Sequence, residues 1–187
     1  MEDILLGLRH ITDPEGYDHM LYLLALMAWA EWRHWSRLAL LATAFTVGHS
    51  LTLVLAGLDI LRPDPTWIEF LIPLSIAVTA VAHARPSAAT GPTGLTYGVT
   101  AAFGLVHGLG FSTYFRIASD PGESIVASLL RFNLGVEAGQ ILILTALLGA
   151  AYLAERWGVP TRSRTLFLCG AAAGPAIILM LERWPWG

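Results

Sequence analysis

The sequence predicts an all-α fold: a polytopic membrane bundle of six transmembrane helices, built as one integral-membrane domain over residues 1–187. Composition is the first reason. Of the 187 residues, 55% are hydrophobic and 13% charged, and the mean hydropathy of +0.60 lies outside the range of soluble domains. Spacing is the second. Apolar runs of bilayer-crossing length, roughly 17–25 residues, fall at about 17–31, 37–58, 66–83, 94–115, 121–153 and 164–183. The lipid bilayer is therefore the first expected partner. Nucleic acid is not, because the net charge is −3 and the basic clusters of a phosphate-binding face are missing. Cys169 is the single cysteine, so neither an intrachain disulfide nor a Cys/His finger is expected. Met1-Glu2-Asp3 lacks the basic region of a cleavable signal peptide, and the first run should serve as its own insertion signal.

Taken in order, the connections assign the sides. Arg33 and Arg37 follow the first run, Arg85 the third, and Arg156, Arg162 and Arg164 the fifth; Arg9, Arg62, Arg116 and Arg183 lie opposite. The bias places both termini outside the cytoplasm, on the periplasmic side of a bacterial inner membrane. Asp13-Pro14, Asp64-Pro65 and Asp120-Pro121 precede the odd-numbered runs. Asp followed by Pro fits an N-cap and first helical position, and Glu123 completes a capping-box spacing with Asp120. Three helical hairpins are expected, each turning at an arginine-bearing inner loop. The fifth run exceeds what a bilayer requires and should tilt or protrude.

Polar groups interrupt these runs, and each demands a partner at membrane depth. The segment from Gly7 to His19 leads into the first run and leaves His10, Asp18 and His19 at its outer mouth. His49 lies in the middle of the second run beside Thr43, Thr46 and Ser50; such hydroxyls can also bond back to their own helix. In the third run Glu69 precedes Pro73 by four, so its carbonyl has no helical donor. Ser75, Thr79 and His83 continue inward from there in steps of four, and a structural kink remains the alternative reading. His107 in the fourth run is flanked by Gly104 and Gly108, a spacing that admits another helix backbone. In the fifth, Asn133, Glu137 and Gln140 share one face, while Gly135 and Gly139 share the other. His107 and Glu137 are expected to meet and to share one ion or one proton. Mixed histidine, carboxylate and amide groups suit a divalent first-row ion such as nickel, cobalt or zinc.

Four stretches then carry a resemblance. Gly16-Tyr-Asp-His-Met-Leu-Tyr-Leu-Leu-Ala-Leu, Thr43-Ala-Phe-Thr-Val-Gly-His-Ser-Leu-Thr-Leu, Phe103-Gly-Leu-Val-His-Gly-Leu-Gly-Phe and Phe132-Asn-Leu-Gly-Val-Glu-Ala-Gly-Gln resemble the HupE/UreJ family of bacterial membrane proteins. The resemblance implies a small permease-like protein for nickel or cobalt uptake, with His10, Asp18, His19, His49, His107 and Glu137 as metal-binding positions. Glu69, Ser50, Asn133 and Gln140 would support them. The chain departs from the nickel-associated pattern in two places: seven residues separate His10 from Asp18, and His107 is the sole titratable group of its motif.

Three functions fit this reading. The first is uptake of a divalent ion, driven by a gradient or a partner because no ATP-binding loop is present. The second is an intramembrane metallohydrolase with a zinc-like site. The third is an accessory subunit whose polar groups hold helices together. A homo-oligomer or an accessory metal-delivery protein are the protein partners to expect.

Overall fold

The computed structural model describes the backbone of residues 1–14, 16–85, 91–118 and 124–186, and the side chains of all these except 112–118. Among the described residues seven α-helices run in order: α1 (Glu2–Thr12), α2 (Asp18–Met27), α3 (Trp35–Gly57), α4 (Pro65–Ala84), α5 (Gly94–Ala118), α6 (Ile125–Arg156) and α7 (Thr161–Glu182). A 3-10 turn at Trp32–His34 leads into α3. The second to sixth apolar runs reappear as α3 to α7. Among the described residues, α3 with its lead-in turn, α4, α6 and α7 are each long and apolar enough to cross a membrane. The 25 residues of α5 span about 37 Å, and the 32 of α6 about 48 Å, more than a bilayer core is thick.

The N-terminal region departs from expectation. In place of one helix over 17–31 with a polar lead-in, two short helices of 11 and 10 residues follow each other. Neither reaches bilayer length by itself. The cause lies in backbone packing: Gly7 of α1 sits against the Phe132 carbonyl, and Gly135 of α6 against the Ile4 carbonyl, so closely that a methyl group at either would overlap. Arg131 and Asp3 add an ion pair at 2.8 Å. The lead-in is therefore a packed helix that buries Gly7 and Ile11 and runs alongside α6 in the same direction.

Helix α2 is the centre of the bundle. Tyr22, Leu23, Ala25, Leu26 and Met27 are all buried, with α4, α6 and α7 around them. The chain leaves the helix at Ala28 while still inside the protein, so the last carbonyls need foreign donors. They receive them: His83 Nδ1 donates to the Ala25 carbonyl at 2.9 Å, Thr165 Oγ1 to Ala28 at 2.9 Å, and Arg164 Nη2 to Ala30 at 2.7 Å. Arg164, itself buried, is neutralised by Glu155 at 2.6 Å.

Of the three Asp-Pro pairs, Asp64 caps α4 as expected and accepts from the Thr66 amide at 2.9 Å. Asp13 instead ends α1, since α2 begins at Asp18; Asp120, Pro121 and Glu123 lie outside the described residues. Nor do consecutive helices form the closest pairs. The most extensive contacts join α3 to α5, α1 to α6 and α4 to α7. Glycine decides this pairing. Gly48 faces the Ala101 carbonyl, Gly104 the Phe45 carbonyl and Gly108 the His49 carbonyl, so the stripe around His107 does admit a helix backbone, and that helix is α3. Its hydroxyls then reach α6: Thr43 Oγ1 donates to Glu137 at 2.7 Å and Thr46 Oγ1 to Gln140 at 2.9 Å.

Candidate metal centre

Four helices each bring one histidine to a single place. His10 stands in the last turn of α1 and His19 in the first turn of α2. His49 comes from α3 and His107 from α5. Ring centroids lie 4.5 Å apart for His10 and His19, 5.6 Å for His10 and His49, 5.8 Å for His19 and His49, and 5.0 Å for His19 and His107. One ligand nitrogen from each of His10, His19 and His49 falls within 4.8 Å of the others. Two nitrogens on one first-row ion at about 2.1 Å are at most ~4.2 Å apart, so small side-chain rotations bring the trio into coordinating range.

The protonation pattern favours a ligand. His19 Nδ1 lies 2.9 Å from Asp18 Oδ1, and an ionised carboxylate only accepts, so Nδ1 carries the proton and Nε2 keeps its lone pair. The Ser75 hydroxyl spends its own proton on the Ile72 carbonyl at 2.7 Å. It therefore accepts from His107 Nε2 at 2.9 Å, which leaves the His107 lone pair on Nδ1. The inward nitrogens have no protein partner: His10 Nε2, His19 Nε2, both nitrogens of His49, and His107 Nδ1 are all buried without a hydrogen bond. Buried polar atoms are rarely left so. One such nitrogen from each of His10, His19 and His49, gathered within 4.8 Å, is what a bound cation would satisfy, and imidazole suits zinc, nickel or cobalt.

Neighbouring groups tune the site. Asp18 holds the His19 ring through the carboxylate–histidine contact common behind metal-bound histidines, and it supplies negative charge against a cation. Phe111 lies 3.8 Å from the His10 ring, Phe45 5.1 Å from His107 and Phe132 5.7 Å from His10. These rings wall the site in apolar surface, yet one side is open. A cavity of about 580 Å³ reaches it, with His10, His19 and His107 in its wall and Arg9, Glu69 and Arg183 nearby. Glu69 also lines an adjoining cavity of about 500 Å³ beside Asp59 and Arg62. Glu69 thus borders both cavities.

Not every expected site residue belongs to the cluster. Glu137 turns to Thr43 on the other side of α3 and lines a separate cavity with Ser50 and Asn133, so the expected meeting of His107 and Glu137 does not occur. Ser50 donates to the Thr46 carbonyl at 2.6 Å, the structural alternative for such hydroxyls. Gln140 pairs with Thr46, and the Asn133 side-chain oxygen is buried without a partner. The reason is angular: α6 gives its glycine face to α1, which leaves its polar face for the hydroxyls of α3 rather than for α5. Asp18 Oδ1 accepts from the amide and faces the ring Nδ1 of His19. Sequence reading did not identify Ser75 as the partner of His107, although its place in the Ser75–Thr79–His83 stripe marked the face.

Comparison with known proteins adds one finding. Nothing among curated proteins or solved structures matches, but a family model described as HupE / UreJ protein matches residues 1–184. Covering all seven helices and every histidine of the cluster, that match places the chain in the HupE/UreJ family.

Proposed function

We propose that the protein is a transporter that carries a divalent first-row metal ion, nickel or cobalt, across the bacterial inner membrane. The observation that supports this most is the set of partnerless imidazole nitrogens at the junction of α1 and α2, open to a cavity on one side. Two short helices in series with a binding site at their break are the arrangement by which many carriers expose backbone and side-chain ligands at membrane depth. The last turn of α1 directs its negative dipole end toward the site, and Asp18 offsets the positive end of α2. Laid end to end, α1 and α2 cover about 32 Å and complete one crossing. Counted with α3 to α7 this gives six, with both termini on one side, and the arginines at Arg85, Arg156 and Arg162 support the periplasm as that side. The ion enters past Glu69, loses water to His10 and His19, and is held by His49 with His107. A gradient or a partner protein drives the step.

Purified protein in liposomes loaded with a metal-sensitive dye tests this reading. Cobalt or nickel added outside should enter faster than in empty vesicles, and His49→Ala should abolish the difference. Equal rates in parent and empty vesicles would refute transport. One observation favours a second reading, an intramembrane metallohydrolase: the cavity at His10 and His19 would let water take an open coordination position. Elemental analysis separates the two. An ion retained stoichiometrically through chelator washes supports the enzyme, and a readily exchanged one the carrier.

A further inference from the structure

A second cavity of about 340 Å³ enters the bundle from the other end, between α4 and α5, lined by Thr79, His83, Thr100 and Phe103 among others. It shares no lining residue with the cavity at the histidine cluster. One side chain of α2 stands between a wall residue of each. Tyr22 is 1% exposed, and its ring centroid lies 5.3 Å from His107, which borders the first cavity, and 6.3 Å from Phe103, which borders the second. Phe45 backs it at 4.8 Å. Its hydroxyl is buried without a hydrogen bond, and the side chains it faces are Thr79 and Thr100, both in the wall of the second cavity.

The polar groups on either side of this ring are in register. On α4, Ser75, Thr79 and His83 follow at steps of four, one turn apart, so about 12 Å of helix separates the His107-bonded Ser75 from His83. On α5, His107 and Thr100 are seven residues apart, two turns on the same face. On α2, His19 and Tyr22 lie one turn apart toward the same seam. His83 donates Nδ1–H to the Ala25 carbonyl, which can only accept, and so keeps a lone pair on Nε2. A nitrogen ligand therefore stands beyond the ring as well as before it.

We propose that Tyr22 is the gate of the ion path: an ion leaving the four-histidine cluster passes Tyr22 along the Thr79 and Thr100 hydroxyls and is received by His83 in the second cavity. The proposal rests on the transport reading, and extends it by naming the barrier and the exit ligand. When the ring turns aside, its hydroxyl and those of the two threonines replace water on the ion, and the faces of Tyr22 and Phe103 keep the passage narrow.

Two measurements test it, and only one depends on transport. In a Cys169→Ala background, Thr100→Cys is probed with a membrane-impermeant thiol reagent from each side of sealed vesicles. Labelling is expected only from the side opposite the termini in the parent, and from both sides once Tyr22→Leu is added; Tyr22→Phe should behave as the parent. The second measurement is cobalt flux, where Tyr22→Leu should raise the rate about tenfold. His83→Gln, which retains an N–H donor but no imidazole ligand, should lower it by a similar factor while cobalt affinity stays parental. Labelling of Thr100→Cys from the terminal side in the parent, or unchanged sidedness in Tyr22→Leu, overturns the gate. Parental flux in His83→Gln overturns the exit ligand. Absence of flux in the parent together with the expected labelling change overturns the transport reading and leaves the gate supported.

Discussion

At the scale of single residues, the site assigns different jobs to groups that look alike in the sequence. Asp18 and His19 are adjacent, yet the histidine directs a free nitrogen into the cluster and the carboxylate grips its other nitrogen at 2.9 Å. Loss of an orienting partner typically weakens metal binding by about 10–100-fold, whereas loss of a ligand removes a bond. Calorimetric titration with cobalt should therefore show Asp18→Asn weakened by about that factor and His19→Ala with no measurable binding. If the two lose affinity equally, Asp18 is itself a ligand. Glu137→Gln provides the contrast: its carboxylate serves Thr43 in another cavity, so affinity should stay parental. The buried nitrogens of His49 had a polar residue signature in the sequence, because an imidazole amid apolar residues is conspicuous. The free face of His107 had none, since it depends on Ser75, 32 positions away.

Among the elements, close backbone approach organises the bundle. Gly104 and Gly98 both lie in α5, one against the Phe45 carbonyl and the other with nothing within 4 Å. A large side chain at the first must push α3 and α5 apart, moving His49 and His107 with them. At the second it replaces a poor helix former by a good one, a change worth about 1 kcal/mol in favour of the helix. Gly104→Leu should then lose monodispersity or cobalt binding, and Gly98→Leu should retain both with an unchanged or higher melting temperature. Equal behaviour of the two would show that the α3–α5 contact does not position the site. The glycine faces of α5 and α6 were legible beforehand from their spacing, but not their partners. The shortness of α2 was not legible at all: residues 17–31 are almost continuously apolar, and the helix stops at Met27 because side chains of His83, Thr165 and Arg164 take over its carbonyls.

For the whole molecule, the number of crossings decides which faces the cavities open to. If α1 and α2 jointly form one crossing, a reporter fused after Trp186 and one fused before Met1 should report the same side, the periplasm, with alkaline phosphatase active and a cytoplasmic fluorescent reporter dark. Opposite sides would mean that α1 and α2 do not complete a crossing. Hydropathy and local spacing by themselves determined that the chain is helical, membrane-embedded and punctuated by histidines, and they placed α3 to α7 within a few residues, since bilayer transfer and helix periodicity are properties of contiguous sequence. Which of those histidines share a site was decided only by tertiary structure. Glycine contacts between segments about 50 to 130 residues apart set α3 on α5 and α1 on α6, and that packing gathers His10, His19, His49 and His107 while turning Glu137 away.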